Sequence, residues 1–239
     1  IVLDALFEQF DNLVVLDTET TGIDCKRDEI IELAALRIVK DGGTCRMEEE
    51  MDLLIQLSAG RHLPSVIVNL TGITEQMLWE QGKQKEEVCR RFAALLNHPK
   101  TLLVAYNAQF DLCFLYYFLL PFGQTDLLKQ IKMLDAMTIY KDRRDYPHKL
   151  ENAVAAYALK TQNTHRAIDD TKAAFELLQA MEQERADLER YINLFGYHPK
   201  YGVSGPRISS VTYRPQLYGS AHRLYESYPL AGNRTAEGV

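Results

Sequence analysis

The sequence predicts a mixed α/β sheet with helices on its faces, and three observations predict it. Runs of strand length, apolar or alternating, come first in the chain. Further strands then alternate with helical periodicities, and one of those helical stretches is apolar nearly all round, as a helix packed into a core should be.

Taken in order, strands are expected at 12–17, 29–39 and 50–57, with the Gly42-Gly43 pair turning a hairpin inside 40–49. In 86–98, Val88, Phe92, Leu95 and Leu96 fall on one helical face. A strand at 101–106 leads into the apolar helix 108–120, which Pro121 and Gly123 stop. A strand at 131–136 precedes helices at 150–159 and 169–181, and helical character continues to about residue 195. After Gly196 the pattern gives way to Gly, Pro, Ser, Arg and Tyr, read as an extended arm, ordered or not. There is no internal repeat. The expected organisation is a catalytic unit over 1–181 and a C-terminal extension over 182–239.

The 239 residues are 46% hydrophobic and 25% charged, an ordinary globular composition. No run approaches a membrane span and no secretory leader pattern stands at the N-terminus. Cys25, Cys45, Cys89 and Cys113 have neither zinc-knuckle spacing nor a disulfide framework, so they are expected as free thiols in a cytoplasmic protein. A net charge of −6 argues against bulk electrostatic binding of nucleic acid. The charge is uneven, however: residues 195–239 hold five Lys/Arg against two acids and six of the thirteen tyrosines.

The stretch "NLVVLDTETTG" (12–22) ends a buried strand in two acids. Side chains alternate along a strand, so Asp17 and Glu19 project together. Two such anions repel and are poorly solvated unless a cation lies between them, and a hard divalent ion prefers carboxylate oxygens. Either the pair holds such an ion or the strand ends at Leu16 and both acids are solvated. A second apolar strand leads through Asn107 to Asp111 in the first turn of the buried helix. A third stretch, "NTHRAIDDTKAAFELL" (163–178), carries His165 and then Asp169 and Asp170 at a helix start.

With "VVLDTETTGI", "LTGITEQML" (70–78), "AYNAQFDLCFL" and "HRAIDD" in this order, residues 11–181 resemble the DEDDh, or DnaQ-like, 3′–5′ exonucleases of the RNase H-like fold. That family includes the proofreading epsilon subunit of bacterial DNA polymerase III. The resemblance implies a mixed five-stranded sheet flanked by helices. It also implies that Asp17, Glu19, Asp111 and Asp170 hold two Mg²⁺ or Mn²⁺ ions, with His165 as general base. Asp170 matches the His-x4-Asp spacing and Asp169 does not. Tyr106 stands where the family often has His.

Two metal ions can clamp the attacking and leaving oxygens of a phosphodiester, and imidazole suits proton removal near neutral pH. A flexible loop is a suitable home for His165, since it could close over substrate. Thr20, Thr21 and Gly22 could meet the terminal nucleotide or form a simple turn. Phe110 could stack on a base or pack in the core. Ile73 could line the base pocket or cap the following helix. Asn107 could reach the sugar-phosphate or cap helix 108–120.

The expected substrate is a single-stranded or frayed DNA 3′ end cut to nucleoside monophosphates, in replication or repair. The alternatives are an exoribonuclease and a polymerase-associated proofreading or binding module. The arm either binds nucleic acid through Arg and Tyr or wraps onto its own domain or a partner.

Overall fold

The structure, a computed structural model, describes residues 2–226. The outermost part of the expected arm, 227–239, lies outside the described residues. The first seven main-sheet and helix assignments follow chain order: α1 (Asp4–Gln9), β1 (Asn12–Thr20), β2 (Ile30–Asp41), β3 (Thr44–Leu54), α2 (Ser65–Thr71), α3 (Glu75–Gln81) and α4 (Lys85–Leu96). Then come β4 (Thr101–Ala105), α5 (Ala108–Leu119), α6 (Asp126–Lys129), β5 (Lys132–Asp135), α7 (Ala136–Lys141), α8 (Leu150–Ala156) and α9 (Ala167–Glu184).

The main sheet has the order β3-β2-β1-β4-β5. β1 runs antiparallel to β2, and β2 to β3, through the hairpin at Gly42-Gly43, where Gly42 takes φ +60°. β4 runs parallel to β1, and β5 parallel to β4. This is the mixed five-stranded sheet the sequence predicts.

Alternation along the strands divides the core. Leu13 and Val15 face α1, α7, α8 and α9, together with Leu36, Ile38, Val104 and Leu177. Val14 and Leu16 face α4 and α5, against Leu33, Phe92, Leu115 and Phe118. By the same parity Asp17 and Glu19 point to the α9 side, and Thr18 to the α5 side. A small third cluster joins Ile31, Leu54, Ile73 and Leu78 beneath α2 and α3.

The C-terminal part differs from the sequence expectation. Helix does not continue to residue 195: α9 ends at Glu184, followed by a 3₁₀ turn at Leu188–Tyr191 and a strand, β6 (Leu194–Tyr197). The buried Arg143 guanidinium stops the helix. It donates to the carbonyls of Met181 and Arg185 and to Asp187 Oδ1 at 2.8 Å, so it caps the carbonyls the helix leaves open. Nor does regular structure end at Gly196: β6 pairs in parallel with β7 (Thr212–Pro215).

As far as it is described, the extension wraps onto its own domain. Leu188, Tyr191, Leu194 and Leu224 enter the α9-side core, and Phe195 and Val211 the other. Its anchor is the fully buried Asp142. That carboxylate accepts from Tyr191 Oη (2.6 Å), Gln216 Nε2 (2.9 Å) and Leu224 N (2.6 Å). Among the described residues no helix is long and apolar enough to cross a membrane.

Removing that carboxylate strands three donors. Asp142→Ala is expected to cost about 3 kcal/mol and to expose the chain beyond Gly196 to protease; chemical denaturation and limited proteolysis read the two effects.

Candidate active site

β4 ends at Ala105, and its pairing with β1 stops at Val15. The last residues of β1 therefore have a free edge on that side. Thr18 turns that edge toward α5, where its N–H (3.2 Å) and hydroxyl (2.6 Å) both donate to Asp111 Oδ1. Asp111 is only 2% exposed, in the first turn of α5.

On the opposite face of β1, ligand oxygens of Asp17, Glu19 and Asp170 lie within 4.8 Å of one another. Three of the four expected acids are thus brought together directly. Asp111 comes round the end of the strand from the other face and is close enough to act electrostatically on both Asp17 and Glu19. Asp17, Asn107, His165 and Asp170 line one cleft of about 800 Å³.

These acids are held in an unfavourable state. Burial, then Asp111, Glu19 and Asp170, push Asp17 well above the ordinary carboxylate range. One side of Asp17 opens on the cleft, while protein atoms crowd the carboxyl elsewhere. Burial, then Asp170, Glu32 and Asp111, push Glu19 up to about 9. Asp111 rises to about 7 through burial, although its bonds from Thr18 oppose the shift. Burial also raises Asp170, against bonds from Asn163 Nδ2 (2.5 Å) and Thr164 N (3.1 Å) to its Oδ1. Among the described residues no Lys or Arg forms an ion pair with any of the four. Oxygen-only donors, clustered, with Arg166 acting on Glu19 only from beyond ion-pair distance, fit a hard divalent ion.

His165 sits just before α9 with φ +58°, a left-handed conformation uncommon for a residue with a side chain. The residues on either side of it are tied down. Asn163 and Thr164 bind Asp170, as above. Arg166 and Ala167 bind Glu32, through Arg166 Nη2 (2.7 Å) and Nε (3.1 Å) and Ala167 N (2.6 Å). Glu32 is 0% exposed and lies opposite Glu19 across the β1–β2 pairing. Sequence reasoning missed Glu32, although an acid inside "IIELAAL" is itself a signal of a buried partner. It also missed Asp135. That buried acid accepts from the N–H groups of Asn107 (2.9 Å), Ala108 (3.1 Å) and Met137 (3.1 Å), and so sets where α5 begins.

The expected substrate contacts separate. Asn107, at φ +65°, heads α5, but its side chain makes no capping bond and faces the cleft. Thr20 donates to the Gly22 carbonyl (2.6 Å) and Thr21 to Asp28 Oδ1 (3.2 Å), so both hydroxyls serve the loop. Gly22 matters through close approach: a Cβ there would stand 2.4 Å from the Asp28 carboxylate. Ile73 is not at the cleft; it is fully buried with Ile31, Leu54 and Leu78, because α2 and α3 need an apolar floor. Phe110 packs on Phe114 (4.8 Å between centroids) and lines a neighbouring groove with Ile23 and Cys25. Tyr106 donates its hydroxyl to the His148 carbonyl (2.5 Å) and so holds the segment that closes the cleft.

Fold and site together define a class: the 3′–5′ exonucleases of the DEDDh, DnaQ-like type, which hydrolyse phosphodiester bonds. A family model described as Exonuclease, of the RNase T kind, matches residues 14–178, and the chain belongs to that family. Among curated proteins it is similar to the PolC-type DNA polymerase III of Clostridium perfringens, 32% identical over 183 residues, which is 75% of this chain and 12% of that protein. It is likewise similar to the PolC-type enzyme of Thermotoga maritima, 34% identical over 167 residues, 69% of this chain and 11% of that one. The chain thus spans only about an eighth of these relatives. Its fold is similar to that of E. coli exonuclease I in a zinc-bound complex with single-stranded DNA, with TM-score 0.64, 21% identity, and 77% and 43% of the two chains covered.

Two outcomes follow from this charge arrangement. Raised carboxyl values mean that the acids favour the fold while protonated and cost stability as pH climbs through those values. In EDTA, Asp17→Asn should therefore melt with wild type at pH 4 but about 2–8 °C above it at pH 8, as calorimetry can follow. Arg166→Ala leaves Glu32 buried without its cation and should cost about 2–4 kcal/mol, short of the fully buried figure because Arg166 is 32% exposed; urea titration measures it.

Proposed function

We propose that this chain is a metal-dependent 3′–5′ exonuclease that removes nucleoside monophosphates from single-stranded or frayed DNA ends. The observation that carries this reading is the clustering of Asp17, Glu19 and Asp170, two of which (Asp17 and Asp170) line one cleft with His165, with Asp111 close by. Asp17, Glu19, Asp111 and Asp170 would hold Mg²⁺ or Mn²⁺. When bound, such a pair of ions neutralises phosphate charge and makes water more acidic.

The chain's own groups supply the rest. The His165 imidazole stands over the cleft and takes the proton of the attacking water. Asn107 offers its amide to the sugar-phosphate from the head of α5. We read residues 1–181 as the catalytic unit and 182–239 as an extension, whose described part buttresses the cleft.

The preference for DNA is supported by the curated relatives, which are DNA polymerases, and by the exonuclease I complexes with single-stranded DNA. The first of these also supports a replication setting, with this chain working beside a polymerase. Choosing DNA over RNA requires a group that senses the 2′-hydroxyl.

An end-labelled panel tests the assignment: single-stranded DNA, mismatched duplex and RNA, each with Mg²⁺ or Mn²⁺, against Asp17→Ala. Stepwise 3′ shortening of DNA is expected, abolished by Asp17→Ala and reduced about 10²- to 10⁴-fold by His165→Ala, with both variants folded by circular dichroism. Faster loss of RNA would transfer the enzyme to the exoribonucleases, and wild-type turnover by His165→Ala would remove its role as base.

A further inference from the structure

Five aromatic rings form a continuous strip from the cleft onto the C-terminal extension. In order they are Tyr146, His148, Tyr218, His198 and Tyr201, with neighbouring centroids 6.0, 4.5, 5.7 and 5.0 Å apart. Tyr146, His148 and Tyr218 line the same cleft as Asp17, His165 and Asp170. The other two rings carry the strip away from it. Tyr218, His198 and Tyr201 all lie beyond residue 178, where the match to the exonuclease family ends.

The strip is anchored in its middle and exposed at its two ends. Tyr218 is held by its neighbours: Gly219 N donates to the Lys141 carbonyl (3.0 Å), and Gln216 Nε2 to the Thr138 carbonyl (2.8 Å). His148 is the buried support beneath it, with Nε2 2.8 Å from the Arg144 carbonyl. At the two ends, by contrast, Tyr146 is 80% and Tyr201 75% exposed. Rings that served only to pack the extension would be covered. The pairs meet edge-on or tilted, with interplanar angles of 43–77°, so no two of these rings stack face to face. Cations accompany them: Lys141 Nζ lies 5.7 Å from the Tyr218 centroid, Lys200 Nζ 5.4 Å from that of Tyr201, and Lys149 lines the cleft. Two acids are also near, Asp145 beside Gly219 and Glu151 in the cleft wall.

A run of rings exposed at both ends, with ammonium groups beside Tyr218 and Tyr201 and continuous with the cleft, matches the chemistry of sequence-independent single-strand binding, in which bases stack on aromatic faces and phosphates meet cations. We propose that the Tyr146–Tyr218–Tyr201 strip is the stacking track for the nucleotides that follow the 3′-terminal one, so that the C-terminal extension is part of the substrate site. The proposal rests on the cleft being the 3′-end site. Sequence reasoning left the arm divided between nucleic-acid binding and wrapping its own domain; here the wrapping is what presents the rings.

The test is binding of 5′-fluorescein-labelled decathymidylate to the full chain in EDTA, by anisotropy. Tyr201, three-quarters exposed, can be changed without disturbing the fold. Tyr201→Ala and Tyr218→Ala are each expected to weaken binding about 5- to 50-fold. Tyr201→Phe and Tyr218→Phe, which keep the ring, should stay within about twofold of wild type. Both alanine variants binding within about twofold of wild type would overturn the track, as would a wild type that does not retain the decamer. Shortening of the same oligonucleotide with Mn²⁺ reports on the nuclease reading separately: a chain that cuts the decamer yet binds it equally well without the rings loses the track and keeps the activity.

Discussion

The structure depends on one costly arrangement: carboxylates crowded at the end of a central strand that, among the described residues, form no ion pair with a Lys or Arg. In a folded core such a cluster is tolerated only if the surrounding elements impose it. β1 contributes two of the acids because residues two apart on a strand share a face. α9 crosses that face and brings a third, and α5 brings the fourth round the strand end to Thr18.

Other buried acids carry out the positioning. Glu32 fixes the start of α9, Asp135 the start of α5, and Asp142 the C-terminal extension. Each accepts several N–H or O–H donors from segments distant in sequence, which is how a carboxylate can be buried at tolerable cost. The cleft is therefore framed by polar contacts at the ends of helices, while the apolar layers above and below the sheet hold those helices in register.

Where periodicity is strong, the sequence was legible. The β1 run, the Gly42-Gly43 hairpin and the apolar α5 stand close to where alternation and turn chemistry place them, and so do the acids at the ends of β1, α5 and α9. The short helices α1, α2 and α3 offer at most two turns each, too little for a 3.6-residue period to emerge. β6 and β7 have four residues apiece and include Gly196 and Pro215, which read as turn residues; their pairing with each other, next to the buried Phe195 and Val211, makes them strands. Glu32 and Arg166 stand 134 positions apart, and no local pattern marks such a pairing. Ile73, read either as lining the base pocket or as capping the following helix, packs with Ile31, Leu54 and Leu78, because its partners lie far away in sequence.

The segment around His165 has a mechanical consequence. Positions 163 and 164 hang from Asp170, and positions 166 and 167 from Glu32, so the histidine bridges two moorings with one residue of slack and a left-handed backbone. With both flanks moored, the imidazole has more freedom than the residues on either side of it. Asp170 Oδ1 is also one of the moorings, so whatever draws on that oxygen pulls on the histidine as well.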